Sequence, residues 1–439
     1  MLLLPGGKCQ RIGGAKGLGE VGDPTLEEKP VVSTEDRRLL RDLAKRVAEV
    51  AALPVMAERR EQWMRHNALA PGRPLLLIFP EGAWRELLPE SGLRCVGEEP
   101  RRMELQLRQS LYCHEHFQDD TVIEREWPVH KVVRETGWGL EPRRIPSPSP
   151  TGAWKFDPVI HAASDLKKLT FPEVTYDEAA TRRRLALAQD LFGDSLDVRL
   201  RGVCHVSFHL MAHYTQLRGL EEVMLDMAEN PNMLHEAMAF FVEGHRRRIT
   251  QYEEQHLLDL NNDGTYHSSG GVGYTRELPR RKVAAASVRP EDMWASAESQ
   301  ELAQVSPEMH AEFALAYEKR LLAPFGLTGY GCCEDLTRKL DHVFTIPHIR
   351  RISIAPFADV ARCAEKLGDR YIFSWKPRPS MLVGEFNEEA VRAYIRRALA
   401  ATRGCVLEII LKDTHTCEGH PERFDRWCRI AREEVEEGA

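Results

Sequence analysis

The sequence predicts an α/β fold, a (β/α)8 TIM barrel with an N-terminal helical extension and a β-hairpin-like insertion. Three observations favour this fold. Short apolar runs alternate with helical patterns, about eight such runs can be counted, and the last run is followed directly by a terminal helix. Alternation of this kind is typical of a parallel sheet, and the number of runs favours a closed barrel over an open one.

Composition limits the classes of function. The chain has 439 residues, 43% hydrophobic and 29% charged, with a net charge of -7, so it is neither disordered nor fibrous. No Lys/Arg block suggests nucleic acid, and no apolar run reaches the roughly 20 residues that cross a membrane. We therefore predict a cytoplasmic protein. Its 10 cysteines lack paired spacing, which favours buried side chains, metal ligands or reactive thiols over disulfides.

The amino-terminal part gives the domain boundaries. Residues 1–33 lack apolar periodicity and are predicted to be a flexible tail, while residues 34–437 form a single barrel domain. A helix begins at Thr34, because apolar residues then recur on one helical face. The apolar run at 74–80 is the first strand, and residues 101–176 are an insertion with hairpin character.

The central part predicts two strands and a long loop. Strands are expected at 198–206 and 256–260, separated by helical patterns. The loop at 261–274 is rich in Gly, Asn and Ser and is long for a connector. Such loops are often functional, although a mobile surface loop remains an alternative.

The carboxyl-terminal half has the clearest pattern, four β/α units in a row. Its first helix is signalled by Ser306 and Pro307, a capping residue followed by proline at the first helical position. The predicted strands of this half are 327–331, 349–355, 371–375 and 405–411, which we number five to eight.

In a barrel the functional site lies where the strands end, which selects the candidate residues. Asp263 is a candidate general base, Lys376 a cation for an anionic substrate, and Tyr330 a third catalytic candidate. An Asx turn at Asp263 and a solvated Lys376 are the alternatives. The candidate substrate-binding residues are His205, Asn261, His267 and Trp375.

Thiols and carboxylates near the ends of the fifth and eighth strands predict a metal site. Catalytic zinc takes three protein ligands from Cys, His and carboxylate and keeps one position open. Adjacent side chains on a strand point oppositely, so two neighbouring cysteines bind one ion only if the strand has already ended. Buried cysteines and a hydrogen-bonded loop histidine are the alternative. The candidate ligands are Cys332, Cys333, Glu334, His415 and Cys417.

Four segments resemble one protein family, the uroporphyrinogen decarboxylase superfamily. The resemblance is closest to an uncharacterised bacterial branch related to cobalamin-dependent methyltransferases, and it is strongest over residues 195–437. It implies a (β/α)8 barrel. The segments are GYGCCE at 329–334, PHIRRISIAPFAD at 347–359, SWKPRP at 374–379 and KDTHTC at 412–417.

The sequence departs from this family at two points. Trp63 to His66 resembles part of an arginine motif that grips porphyrinogen carboxylates, but its continuation is missing, so porphyrinogen decarboxylation is not expected. The methyltransferase branch holds zinc with His-x-Cys after the fifth strand and a Cys after the eighth. Here Tyr330 or Gly331 stands in place of that histidine, which Glu334 or His415 could replace.

The resemblance implies a zinc-dependent methyltransferase that moves a methyl group between a small molecule and the cobalamin of a separate corrinoid protein. The small molecule is a methyl donor or acceptor. One alternative is a metal-independent decarboxylase that acts through Lys376 and Asp263. A second alternative is a non-catalytic barrel that binds a tetrapyrrole. Neither a nucleic acid nor a membrane is expected as a partner.

Overall fold

The computed structural model describes residues 32–145, 155–267, 270–284 and 287–438. Residues 1–31 of the predicted tail lie outside this range. A π-helical turn, Ala311–Leu315, joins two of the helices. The helices are α1 (Thr34–Ala51), α2 (Pro54–Asn67), α3 (Trp84–Leu87), α4 (Glu98–His116), α5 (Glu178–Phe192), α6 (Leu210–Arg218), α7 (Leu220–Glu229), α8 (Pro231–Glu254), α9 (Pro307–His310), α10 (Ala316–Leu322), α11 (Leu340–Val343), α12 (Val360–Leu367), α13 (Glu388–Ala401) and α14 (Glu422–Glu437).

A parallel sheet of seven strands forms the centre, in the order β1-β15-β14-β13-β12-β11-β8. Five of its strands, β1, β11, β12, β14 and β15, are buried along their whole length, as expected for a parallel sheet covered by helices. The strands are β1 (Leu75–Ile78), β2 (Glu126–His130), β3 (Val133–Glu135), β4 (Arg143–Ile145), β5 (Lys155–Asp157), β6 (Val174–Tyr176), β7 (Asp197–Arg201), β8 (Ser207–Phe208), β9 (Tyr266–His267), β10 (Gly270–Val272), β11 (Trp294–Ala297), β12 (Leu327–Tyr330), β13 (Ile349–Ile354), β14 (Ile372–Trp375) and β15 (Val406–Leu411).

Closure of this sheet into an eight-stranded barrel is not seen in the described residues. Successive parts of the chain from β7 to β8 pair with different segments. They therefore do not form one continuous strand of the central sheet. β7 pairs in parallel with β2, Val203 bridges Leu258, and β8 then pairs with β11. The α/β class and the parallel sheet are as predicted, and the closed barrel stays a prediction.

Two aspartates take the place of a neighbouring strand along one edge of β1. Asp120 accepts the N–H of Leu76 at 2.8 Å and donates its own N–H to the Leu76 carbonyl, while Asp119 accepts the N–H of Ile78 at 3.1 Å. Buried backbone groups must find partners, so these side chains satisfy the edge that a strand would otherwise cover.

The insertion differs from its prediction. Its first part is helical, since α4 extends to His116, and only the later part is extended. The pairs β3–β6 and β4–β5 are antiparallel, but β2 pairs in parallel with the distant β7. The predicted hairpin character is therefore correct for part of the segment and wrong for residues 101–116.

Helix starts agree with the expected capping chemistry. The Ser33 hydroxyl accepts the N–H of Asp36 at 3.0 Å where α1 begins, and the Asn387 side chain accepts the N–H of Ala390 at 2.9 Å at the start of α13.

Among the described residues, no helix has the length and apolar character needed to cross a bilayer.

Candidate functional site

Two thiols lie together just after the end of β12. The Sγ atoms of Cys332 and Cys333 are 3.5 Å apart, and Cys333 is exposed. The strand has already ended at Tyr330, and Gly331 adopts a left-handed conformation with φ of 95°. The turn at glycine frees the two side chains from strand alternation, so both sulfurs face the same space. We call the loops that follow β8, β11, β12 and β15 the mouth.

The charge of Lys412 and the neighbouring thiol act on Cys332. The hydrogen bond with Cys333, followed by the positive charge of Lys412, lowers the pKa of Cys332 although burial opposes this. The pKa of Cys333 is raised by the same hydrogen bond and by burial. Cys332 is therefore the thiol of the pair that ionises first.

A histidine–glutamate pair lies at the same edge of the sheet. His209 Nδ1 is 2.5 Å from Glu298 Oε1, and the other oxygen of Glu298 accepts the N–H of Gln300 at 2.9 Å. Burial favours a neutral ring, but the hydrogen bond and the charge of Glu298 outweigh it and raise the pKa of His209. His209 thus binds a proton more tightly than an ordinary histidine.

Two more glutamates, Glu301 and Glu334, lie close enough to Glu298 for their negative charges to interact unfavourably with it. Burial, followed by the charge of Glu298, raises the pKa of Glu301 to about 8 and that of Glu334 to about 7. One oxygen of Glu334 accepts the N–H of Cys332 at 2.8 Å, which ties the acidic cluster to the thiol turn. Perturbed acids of this kind collect at functional sites.

The tip after β15 supplies a cation and an anion. Lys412 Nζ is 3.5 Å from Asp413 Oδ1, and Asp413 accepts the thiol of Cys333 at 3.7 Å. Asp413 has a left-handed φ of 59°, which is uncommon for a residue other than glycine and costs about 1–3 kcal/mol. Burial opposes a charged Lys412, but Tyr266 and Cys332 raise its pKa.

The two remaining predicted metal ligands have other contacts. The Cys417 thiol is buried and donates to Glu86 Oε2 at 3.1 Å, while the His415 ring lies close to Gly82. Within the described ranges, no three His, Cys, Asp or Glu side chains stand so that together they could hold a metal ion. The structure brings Cys332, Cys333 and Glu334 together, and zinc binding stays a prediction.

Of the predicted catalytic residues, Asp263 and Lys376 are held by neighbours. Asp263 pairs with Arg201 at 2.8 Å and accepts from the backbone and hydroxyl of Thr265. Lys376 is buried and donates to the hydroxyl and carbonyl of Ser374, at 2.7 and 3.0 Å. Burial lowers the pKa of Lys376 to about 7, so its charge is sensitive to pH near neutrality.

Tyr330 is buried behind the mouth rather than exposed in it. Its hydroxyl donates to Glu318 at 2.8 Å and accepts from His310, also at 2.8 Å. Glu318 in turn accepts the hydroxyl of Ser299, at 2.7 Å, next to Glu298 in the chain. The Tyr330 hydroxyl is therefore engaged within the chain, and the catalytic role stays a prediction.

The four predicted substrate-binding residues occupy different environments. Asn261 is fully buried and bonds to the backbone of Cys204 and Trp294, and His267 is buried against the Trp294 ring. Trp375 is buried against the Tyr394 ring of α13. His205 alone of the four is exposed, with Nδ1 3.1 Å from the Tyr266 carbonyl.

Glu298 and Glu301 were missed because strand β11 was missed. His209 was missed because the preceding strand was predicted to end at residue 206, before β8. The run Trp294–Ala297 is short and contains two alanines and a serine, which have little strand propensity. A detectable signal was present, since Glu298 follows this run as Glu334 and Lys412 follow the ends of β12 and β15.

The chain is similar to solved structures but not to a known sequence family. No protein-family model and no curated protein sequence matches the chain. A methyltransferase from Methanosarcina mazei superposes on 85% of this chain and 98% of its own, with 10% sequence identity and a TM-score of 0.44.

Proposed function

We propose that this chain is a zinc-dependent methyltransferase that moves a methyl group between a small molecule and the corrinoid of a separate protein. The observation that carries the proposal is the Cys332–Cys333 thiol pair at the mouth, beside the cation of Lys412. Methyl transfer to or from sulfur or cobalt needs a soft, ionisable group held open to substrate. A half-buried thiol with a neighbouring positive charge, paired with an exposed thiol, meets that need.

The side chains available suit zinc in part. Thiolates are preferred zinc ligands. Glu334, which accepts the N–H of Cys332, and Glu301 are acids whose pKa values are raised by burial and by the charge of Glu298. A divalent cation would relieve the repulsion among these acids. Zinc at this place would supply a Lewis acid that lowers the pKa of a substrate thiol or polarises the group carrying the methyl. Cys417 would not contribute while its thiol is bound to Glu86.

The remaining groups at the mouth have roles that suit methyl transfer. His209, held through Nδ1 by Glu298, is placed to donate or accept the proton that leaves or enters a substrate heteroatom. Lys412 attracts an anionic substrate and favours the thiolate form of Cys332. Exposed His205 is available to contact the same small molecule.

The metal-independent decarboxylase is less well supported. It requires Asp263 as a free base, but that carboxylate is engaged by Arg201 and Thr265, and Arg201 lowers its pKa against the effect of burial. Lys376 donates to Ser374. The two residues have no contact with each other that would join them in one reaction. Methyl transfer is therefore the conclusion we favour.

Methyl transfer can be measured with free methylcobalamin in place of the corrinoid protein. The full chain is purified, analysed for zinc, and mixed with methylcobalamin and a panel of small thiols while the cobalamin spectrum is followed. We expect zinc-dependent demethylation that falls more than about 100-fold in Cys332→Ser, because loss of even a side chain that only hydrogen-bonds to a metal ligand costs about 10–100-fold.

The matched control is Cys405→Ser. The Cys405 thiol contacts the Ala364 carbonyl at 3.7 Å, away from the mouth, so this variant should keep its activity. Full activity in protein stripped of metal would refute the zinc-dependent mechanism. Tight cobalamin binding without turnover would instead identify a non-catalytic tetrapyrrole-binding protein.

A further inference from the structure

The Cys332–Cys333 pair is unusual because its two members are adjacent in sequence, yet their sulfurs share one side. On a continuing strand their side chains would point to opposite faces. Gly331 prevents this, since its left-handed φ of 95° turns the chain immediately after β12. A side chain at Gly331 would meet Leu336 at 2.8 Å, so the turn is also sterically reserved for glycine.

The turn is held on both sides by hydrogen bonds. The N–H of Gly331 donates to the Ala297 carbonyl at 3.0 Å, and the N–H of Cys332 donates to Glu334 at 2.8 Å. The carbonyl of Cys332 accepts the Ser353 hydroxyl at 3.0 Å. Three elements thus fix the backbone that carries the thiols, and a preorganised pair loses little entropy when it binds a ligand.

The separation of the sulfurs matches chelation better than a disulfide. Two thiolates at about 2.3 Å from a tetrahedral zinc lie about 3.8 Å apart, close to the 3.5 Å observed. A disulfide needs about 2.05 Å between sulfurs and a Cα separation of at least about 4.4 Å. Adjacent residues across a trans peptide are about 3.8 Å apart, so a disulfide here would be strained.

We propose that Cys332 and Cys333 form a bidentate site for thiophilic ions, in which both sulfurs bind one ion from the solvent side. The proposal rests on the proposed function and deepens it, because it assigns both zinc-binding sulfurs to one turn rather than to two distant strand ends. Binding of a divalent ion forms two metal–sulfur bonds and releases the two thiol protons. In the metal-free chain the Cys333 thiol donates to Asp413 Oδ2 at 3.7 Å.

A trivalent arsenical tests the vicinal geometry directly. Phenylarsine oxide condenses with two neighbouring thiols and releases one water, whereas a single thiol holds it weakly and loses it to competing monothiol. The reduced, metal-free full chain is treated with phenylarsine oxide and excess 2-mercaptoethanol, and the intact mass is measured. We expect one adduct per chain in the wild type and none in Cys332→Ser or Cys333→Ser.

Two controls keep this result interpretable. Cys405→Ser should bind one arsenical like the wild type, because its thiol lies elsewhere. Thermal unfolding of each variant shows that it is folded. An adduct that survives in either mouth variant, or its absence from folded wild type, would overturn the proposal.

Cadmium provides a second readout that does not depend on activity. Titration of the metal-free chain with Cd2+ should develop an ultraviolet thiolate-to-metal band of equal size in the wild type and in Cys417→Ser. The band should fall by at least half in either mouth variant. Loss of the band in Cys417→Ser, with both mouth thiols present, would contradict the assignment.

Failure of the inference and failure of the proposed function give different results. Arsenical and cadmium binding without methyl transfer would leave the bidentate site standing and refute the function. Zinc-dependent methyl transfer in a wild-type chain that binds no arsenical would leave the function standing and refute the bidentate site.

Discussion

Two polar clusters on the central sheet differ in how their charges are balanced. In the interior, Glu408 on β15 is fully buried, yet Arg351 and His66 lower its pKa against the effect of burial. At the mouth, Glu301 and Glu334 have raised pKa values because burial and like charges dominate. The charge of Glu408 is balanced mainly by Arg351, whereas at the mouth burial and the charge of Glu298 outweigh the effect of His209 on Glu301. The interior cluster is suited to stability and the mouth cluster to chemistry.

The interior cluster consists of Glu408, Arg351 and their contacts, and strand β10 (Gly270–Val272) packs against it. We call β10 the plug. Arg351 Nε lies 3.0 Å from Glu408 Oε1, and Arg351 Nη2 donates to Asn67 at 2.7 Å. The N–H of Gly271 donates to the same Glu408 oxygen at 2.9 Å. The part of the long loop that was predicted to be functional therefore packs, at Gly271, against a structural ion pair.

The largest effect on stability is expected when the ion pair of Arg351 and Glu408 is broken. Arg351→Met leaves Glu408 buried without its main counter-charge, and we expect the free energy of unfolding to fall by about 3–5 kcal/mol. Urea unfolding measures the loss. The double variant Arg351→Met/Glu408→Leu should recover much of it, because replacing both charges by apolar groups is often nearly neutral. A loss below about 1 kcal/mol in the single variant would show that the pair is not structural.

The next largest effect is expected from Glu318, which lies behind the mouth and should make the stability of the fold depend on pH. Burial raises its pKa to about 7, from 4.5, against the hydrogen bonds from Ser299 and Tyr330. A carboxyl whose pKa is raised in the folded state makes its full contribution to the free energy of unfolding below pH 4.5. That contribution is lost as the pH rises through about 7. At about 1.4 kcal/mol for each pKa unit, the loss approaches 3 kcal/mol.

The variant Glu318→Gln removes this titration. The wild type should lose more stability than Glu318→Gln between pH 5 and pH 8, by up to about 3 kcal/mol. Glu298 and Glu334 also act on Glu318, so the slope should decrease rather than vanish. Chemical unfolding at the two pH values measures the difference. Parallel curves for both proteins would show that Glu318 is already ionised in the folded state.

Added volume in the plug should reduce stability by an intermediate amount, because the plug is closely packed against Glu408 and Arg351. A Cβ at Gly271 would stand 2.5 Å from Glu408 Oε2 and 2.9 Å from Arg351 Nη2. We expect Gly271→Ala to cost about 1–3 kcal/mol, as other overpacked sites do. Gly72→Ala is the control, since no atom lies within 4 Å of its Cβ, and it should change stability by less than about 0.5 kcal/mol. Equal effects in the two variants would mean that the plug moves freely.

The sequence allowed the carboxyl-terminal half to be predicted closely, because its strands are long apolar runs with clear caps. Strands predicted at 349–355 and 405–411 are observed at Ile349–Ile354 and Val406–Leu411. Strand β11 escaped prediction because small residues in a fully buried strand carry little local signal. Its position is fixed by parallel pairing with β8 and β12, which is a tertiary effect.

The candidate site was predicted in part for the same reason. Cys332, Cys333 and Glu334 follow a recognisable strand end and do lie together. Cys417 follows another such end, but the side chain of Glu86, far away in sequence, binds its thiol. Which strand-end residues meet depends on rotamers and on distant partners, and neither can be read from local spacing.

The smallest effect is expected at the mouth. Cys333 is exposed, and within the described part of the chain its thiol contacts Cys332 and Asp413, so Cys333→Ser removes no core packing. We expect its free energy of unfolding to stay within about 0.5 kcal/mol of the wild type, measured without metal in reducing buffer. Zinc should then stabilise the wild type but not the variant, because an ion that binds only the folded state adds its binding energy to stability. A loss of several kcal/mol without metal would place Cys333 with the structural cluster, and the contrast between interior and mouth would fail.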